Sequence, residues 1–482
     1  MNSKAPKVSD YVAIMLIMLL ALPVLYFSVF VPFETDTGDS VMHYFFARYA
    51  FQNPMLYFDH WAKPFFTLLA SPFAQFGFSG MKLFNGLAGL LSAWFAYSIA
   101  KKLDLKPAWL AIVFVLFAPA YFVKLFSGYT EPLFGLMLIA SVYLVLMQKP
   151  VPAAIVMSFL PFVRSEGLIL IMVFALYFVI RKNYKAIILL ATGHIVYSFA
   201  GLLAGKNFLW VFTDIPYQVI SPYGKGNFSH FPTQLLLILG VPVFALSLVG
   251  LSLIILNSFT KKVKLTGGFR TEVILLILGS FLAYFAFHIV SWGFGLFGSM
   301  GLNRVLTAMV PLLAVISLIG FSFLSDMVKM RNFPLQIIVT VVIVGYVVVF
   351  PFLGNPASIN WEKELRRSPE MIVMHNIATD LNKTYPGKFL YYSNPYLSYA
   401  LNINPFDPSK HATLSYWHAE NKLQPNSLII WDNWSRVENE NTDSLSLYQN
   451  PELRFIKRYE TAGQNDKNIF LLFGNQNFRV KN

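Results

Sequence analysis

The sequence predicts an all-α polytopic membrane bundle of about eleven transmembrane helices, with interfacial helices in its loops and a small α/β domain at its C-terminal end. Three observations carry that prediction. Hydrophobic residues make up 56% of the 482 and charged residues only 13%, with a mean hydropathy of +0.56, far outside the range of a water-soluble globular chain. Apolar runs suited to crossing roughly 30 Å of hydrocarbon recur from Tyr11 to Phe352. Beyond residue 353 these runs stop and charge density rises, with fourteen basic and thirteen acidic side chains in the remaining stretch. The chain therefore divides into a membrane domain, 1–352, and a soluble domain, 353–482.

The apolar runs fall near 11–31, 80–100, 108–126, 131–147, 152–163, 167–180, 186–204, 234–257, 272–290, 304–323 and 334–352. The run 152–163 is short for a straight crossing, so it reads as tilted, broken or paired with its successor as a partial hairpin. Orientation follows from Lys and Arg, which short loops retain on the cytoplasmic side. With the N-terminus inside, fifteen basic residues fall in the cytoplasmic pieces, among them Lys101, Lys102, Arg181, Lys182 and Lys261, against six in the longer outer loops. An odd number of spans then places the soluble domain outside. The net charge of +13 is thus a topology signal, and nucleic-acid binding is not expected. No small-residue cleavage site follows the first run, which reads as a retained helix. The chain has no cysteine, which excludes disulfides, thiolate metal sites and a cysteine nucleophile. A bacterial inner membrane is the expected location.

The first outer loop, 32–79, carries helical patterning of its own. Val41, Met42, Phe45, Phe46 and Tyr49 fall on one face, with His43, Arg48 and Gln52 elsewhere. Phe65, Phe66, Leu68, Leu69, Phe73 and Phe76 form a second apolar series. Such helices lie in the interface plane, either holding a site at the boundary of lipid and water or sealing the bundle.

Acid placement is the sharper signal. Of eleven acidic residues before the soluble domain, seven fall on the outer side: Glu34, Asp36, Asp39, Asp59, Glu131, Glu166 and Asp214. Asp and Glu contribute little to topology, so the positive-inside rule does not explain this asymmetry. Glu131 in Ser-Gly-Tyr-Thr-Glu-Pro-Leu-Phe and Glu166 in Phe-Val-Arg-Ser-Glu-Gly-Leu stand at helix ends beside apolar residues. A carboxylate there is too costly to leave unpaired. Glu131 suits a helix N-terminus, and Arg164 suits either an acidic partner or a ligand phosphate; an internal ion pair and a ligand contact stand as alternatives.

The acidic segment after the first span, the loop helices, the Phe-Asp-His-Trp-Ala-Lys-Pro element at 58–64, the Thr-Glu-Pro-Leu opening of a helix and the Arg-Ser-Glu-Gly turn occur in a fixed order and on one side. Together they resemble the GT-C superfamily of lipid-linked glycosyltransferases, nearest to the protein O-mannosyltransferase and aminoarabinose transferase type, over residues 10–350. The resemblance implies a polyprenyl-phosphate sugar donor held in the outer leaflet, inversion at the anomeric carbon, and a first-loop carboxylate as general base toward an acceptor hydroxyl on protein, lipid or glycan. By motif position Asp39 is the first candidate base and Asp36 the second. The family's motif is commonly Asp-Glu, whereas Ser40 follows Asp39 here, so both remain open. The element at 58–64 resembles a family loop ending in His-Pro-Pro or Glu-Lys-Pro-Pro, although only Pro64 is present; His60 and Lys63 are then expected to bind acceptor or phosphate. Arg304, in Gly-Leu-Asn-Arg-Val-Leu, resembles the family's arginine-bearing segment before its last helices and is expected to meet the lipid phosphate, with headgroup snorkelling as the alternative.

No obligatory metal is expected, although Asp36, Asp39 and His60 offer ligands of the type Mg²⁺ or Mn²⁺ prefers. His194 and His288 lie within apolar runs and read as packing residues. The rival class is a transporter or flippase of a lipid-linked or anionic substrate, which would place ionisable groups at mid-membrane and show inverted repeats. Here the charges collect at the outer edge and no repeat is visible. In the soluble domain a helical pattern at 361–384 and strand patterns at 388–392, 427–431, 453–459 and 468–473 predict an α/β fold. Trp431 and Trp434 there suit core packing or stacking on a sugar.

Overall fold

The computed structural model describes residues 8–217, 219–260, 268–329, 333–354, 359–414, 423–433, 443–461 and 467–475. They form two compact units: residues 1–31 with 46–365, and residues 32–45 with 366–482.

The first unit is a helical bundle. Among the described residues seven helical segments are long and apolar enough to cross a membrane: Val8–Val29, Gly77–Lys102, Tyr184–Leu203, Val241–Phe259, Arg270–Phe294, Asn303–Val328 and Pro334–Phe352. Glu131–Leu146, Pro150–Phe162, Gly167–Ile180 and His230–Leu239 are apolar but shorter. The breaks have chemical causes. The run 108–126 divides into Leu110–Leu116 and Pro119–Lys124, because Pro119 lacks an N–H and drives Ala118 to extended backbone, φ −66° and ψ 114°. The run 234–257 divides at Gly240, whose φ of 72° ends the helix His230–Leu239. Arg270–Phe294 accommodates a π-helical stretch, Val273–Gly279.

Small residues let these helices approach closely. A Cβ on Gly250 would lie 2.0 Å from the Ile316 carbonyl oxygen, and one on Gly320 would lie 2.3 Å from that of Leu246. The helix Val241–Thr260 therefore meets Val310–Lys329 backbone to backbone. The segment containing the latter is buried along its whole apolar window, which makes it the centre of the bundle.

Both expected loop helices form, as Asp39–Tyr49 and Pro64–Ala74. Pro64 occupies the first turn of the second, where its missing N–H costs nothing, and the preceding Lys63 takes a left-handed φ of 66°. The buried face is Phe66, Thr67, Ala70, Ser71 and Ala74, while Leu68, Leu69 and Phe76 are exposed.

The second unit is α/β. Its sheet runs in the order β2-β1-β3-β5-β4, with β1 Leu390–Tyr391, β2 His411–Ala412, β3 Leu428–Asp432, β4 Leu453–Glu460 and β5 Ile469–Asn475. β1 is parallel to both β2 and β3, and β5 is antiparallel to both β3 and β4. The four strands expected from the sequence are present, and β2 is additional. The helical pattern at 361–384 resolves into Trp361–Glu364, in the first unit, and Pro369–Thr384, whose N-terminus Ser368 caps by accepting from the Met371 N–H. Trp431 sits 6% exposed in a core with Tyr391, Ile429, Leu453 and Phe473. It is a packing residue; Trp434 lies outside the described residues.

Candidate functional site

At one end of the bundle in the first unit, charges meet from segments far apart in sequence. Thr130 and Glu131 open the helix Glu131–Leu146, Arg164 and Ser165 occupy the turn before Gly167–Ile180, and Arg304 stands in the 3-10 turn Asn303–Met309. Arg164 lies 2.8 Å from Glu131 Oε1 and 2.9 Å from Glu166 Oε1, and donates to Thr130 Oγ1 at 3.1 Å. Arg304 Nε stands 3.7 Å from the same Glu131 oxygen, and its guanidinium lies 4.1 Å from the centre of the Tyr129 ring. His288 Nε2 is 3.8 Å from Glu166 Oε1. Glu131, only 1% exposed, thus holds two guanidinium groups at once.

Lys63 belongs to this group. Its buried ammonium donates to Ser165 Oγ at 3.3 Å and to the Tyr217 hydroxyl, and lies over the Tyr217 ring. Lys124 faces the Tyr129 ring from 5.5 Å. Lys63, Lys124, Arg164 and Arg304 thus gather in this unit with Glu131 and Glu166. Two guanidinium groups and two ammonium groups are the donor types that suit an anion with several oxygens, and the guanidinium planes suit a phosphate. The loop bearing Tyr129 is pinned by Asn85, whose amide donates to the Ser127 and Tyr129 carbonyls at 2.7 and 2.8 Å. His60 is placed differently: its Nε2 lies 3.2 Å from the Trp210 carbonyl, with the ring against Trp210. Burial pushes its imidazole below the ordinary value, against the pull of that carbonyl, so it stays neutral at neutral pH.

The acidic segment lies in the second unit. Asp36 accepts from the Gly38 N–H at 2.8 Å through one oxygen and from the Ser40 N–H at 3.2 Å through the other, closing the turn into Asp39–Tyr49. Asp39 is the first residue of that helix and half-buried. Glu34, 2% exposed, receives a forked pair from Arg367 at 3.1 and 3.2 Å and the Tyr396 hydroxyl at 2.6 Å. Glu370 is packed in the same unit, where burial and the charges of Asp432 and Asp36 push its carboxyl up to about 7.

Five expected residues, Lys63, Glu131, Arg164, Glu166 and Arg304, thus come together, and Asp36 and Asp39 share one turn. Tyr129, Tyr217 and Lys124 were not singled out in the sequence, and neither were Arg367 and Tyr396. Each is unremarkable in its own segment, and only the fold brings it to its partner. Among the described residues no group of three or more His, Asp or Glu is arranged to hold a metal ion.

No family model matches the chain, and no curated protein does. Solved structures do. The chain superimposes on ArnT from Cupriavidus metallidurans bound to undecaprenyl phosphate with a TM-score of 0.64 and 11% identity, covering 98% of this chain and 100% of that one. The apo state of the same protein gives 0.61 and 13%, covering 96% and 98%. The fold is therefore ArnT-like along essentially its whole length.

Proposed function

We propose that the protein is a membrane glycosyltransferase that moves a sugar from a polyprenyl-phosphate donor to an acceptor hydroxyl on the extracytoplasmic face, with inversion. The observation that carries this reading is the full-length likeness to a protein captured with undecaprenyl phosphate. The cations of the cluster, Lys63, Arg164 and Arg304, are the residue types such a donor needs.

In this reaction the acceptor oxygen attacks the anomeric carbon while the bond from that carbon to the phosphate oxygen breaks. The acceptor proton passes to a carboxylate, and the lipid phosphate leaves with the bonding pair. Asp39 is the proposed base by its motif position at the start of the loop helix, with Asp36, whose oxygens accept from the Gly38 and Ser40 N–H groups, as the second candidate. Arg164, Arg304 and Lys63 are the proposed partners of the leaving phosphate, whose charge grows as the bond breaks. Glu131 and Glu166 hold the guanidinium groups in place, so that stabilisation needs no rearrangement at the moment of reaction. No metal is required by this arrangement of roles. The site is read as extracytoplasmic because the basic loops assign the opposite side to the cytoplasm, and a bacterial inner membrane is the proposed location.

The test is transfer from polyprenyl-phosphate sugars in membranes carrying matched amounts of wild type, Asp39→Asn and Asp36→Asn. Asp39→Asn is expected to lower turnover by a factor of about 10² to 10⁴, the usual contribution of a general base, with donor binding retained. Asp36→Asn should act mainly by weakening the turn. Full activity in both variants would remove the acidic segment from the chemistry.

A further inference from the structure

A second polar site lies at the far end of the same helices. Glu131–Leu146 and Gly167–Ile180 have the candidate-site acids at their N-terminal ends, and a cleft of about 260 Å³ is lined by residues at their C-terminal ends. A helix of that length separates the two by roughly 20 Å. Gln148, Pro150, Tyr177, Arg181, Asn183 and Glu272 line the cleft. Glu272 is the unusual member, with its side chain only 3% exposed. Its Oε1 accepts from the Tyr177 hydroxyl at 2.8 Å and from Arg181, whereas its Oε2 has no hydrogen-bond partner among the described residues. A buried carboxylate oxygen left without a donor is costly, so its place in a cleft wall points to a ligand that brings one.

The surroundings narrow the ligand. Arg181 is 45% exposed and has further N–H groups beyond those facing Glu272, and the exposed Lys149 and Lys182 stand in the same two turns. The cleft thus joins an acceptor wanting a positive donor to a basic rim wanting an anion. Its volume falls below the roughly 300 to 1,000 Å³ of pockets for drug-sized molecules, which suits a headgroup. Met147, Val179, Ile180 and Tyr184 beside it are exposed and apolar, as a surface under acyl chains would be.

We propose that this cleft binds the headgroup of a membrane phospholipid carrying a primary ammonium, with the ammonium donating to Glu272 Oε2 and the phosphodiester held by Arg181 and the adjoining lysines. The site is separate from the transferase reading and does not depend on it.

Thermal unfolding of the purified full-length protein in detergent tests this, titrated with short-chain phosphatidylethanolamine, phosphatidylcholine of equal chain length, or free phosphoethanolamine. The ethanolamine lipid should raise the unfolding temperature at concentrations about tenfold below the choline lipid, the factor one charge-assisted hydrogen bond supplies. Glu272→Gln should abolish that preference. Gln148→Trp, which blocks the cleft from an exposed rim position, provides a second variant should Glu272→Gln fail to fold. Equal responses to both lipids, or a preference surviving in a folded variant, would overturn the proposal. A response to free phosphoethanolamine matching that to the lipid would overturn the assignment to a lipid.

Discussion

Glu131 shows what a single buried acid does in this protein. It is 1% exposed and forms ion pairs with both Arg164 and Arg304, so its charge orients two side chains proposed to meet a phosphate. Removing one partner of a buried ionic network costs about 3 to 5 kcal/mol, because the remaining charges lose their compensation. Glu131→Gln is accordingly expected to lower the unfolding temperature by several degrees and to cut transfer more severely than Glu166→Gln, since Glu166 faces only one of the two arginines. Equal stability of Glu131→Gln and wild type would show that the arginines find other partners. The need for this pairing was legible in the sequence, because a carboxylate beside apolar residues at a helix end has to be matched. Its geometry was not, since Arg304 lies 173 residues from Glu131 and nothing local selects it.

Glu370 carries a prediction of the opposite sign. Its carboxyl, raised from 4.5 to about 7 by burial and by Asp432 and Asp36, binds a proton more tightly folded than unfolded. The folded state therefore holds the extra proton, and stability falls as pH rises from about 4.5 to about 7, then levels. The effect is on the order of 3 kcal/mol at most and is reduced by solvent screening of a half-buried group. Glu370→Gln removes the titration. Its unfolding temperature relative to wild type should rise across that window, and a constant difference between pH 5 and pH 8 would refute the assignment.

At the scale of elements, helix contact rather than helix formation limits the bundle. Val241–Thr260 and Val310–Lys329 approach until Gly250 and Gly320 face backbone. An added methyl group at Gly250 meets the Ile316 carbonyl oxygen at 2.0 Å, and a backbone atom cannot rotate away as a side chain would. Gly250→Ala should thus destabilise by about 1 to 3 kcal/mol despite its better helix propensity, whereas Gly345→Ala, with open space around it, should not. Thermal unfolding of the two variants side by side separates contact from propensity. The helices themselves were legible from hydropathy, whereas the break before Pro119, which follows from a missing N–H, lay inside a run read as continuous, 108–126. The division at Gly240 and the π-helical stretch at 273–279 were not, because continuous apolar runs give no sign of where a ladder shifts. The two-residue β2 was equally hidden: it is too short to show alternation.

For the whole molecule, the decisive feature is that the segment bearing Asp36 and Asp39 belongs to the second compact unit rather than the first. Hydropathy cannot reveal this, since it divides the chain once, where the apolar runs end, whereas the fold returns residues 32–45 to a partner more than three hundred residues later. Arg367 grips Glu34 with a forked pair, Tyr396 donates to the same carboxylate, and the Tyr44 ring packs edge-on against Tyr399. The C-terminal domain is thus a structural support for the acidic segment. A chain ending at Leu365 would leave the buried Glu34 carboxylate without Arg367 and the segment without its packing. Such a truncation is expected to insert in membranes and yet lose transfer to every acceptor, including the smallest, because it disorders the proposed base rather than a distant recognition surface. Arg367→Ala should reproduce much of that loss in the full-length chain, lowering turnover more than donor affinity. Normal turnover on a short acceptor by the truncated chain would show that the acidic segment holds its place without that support.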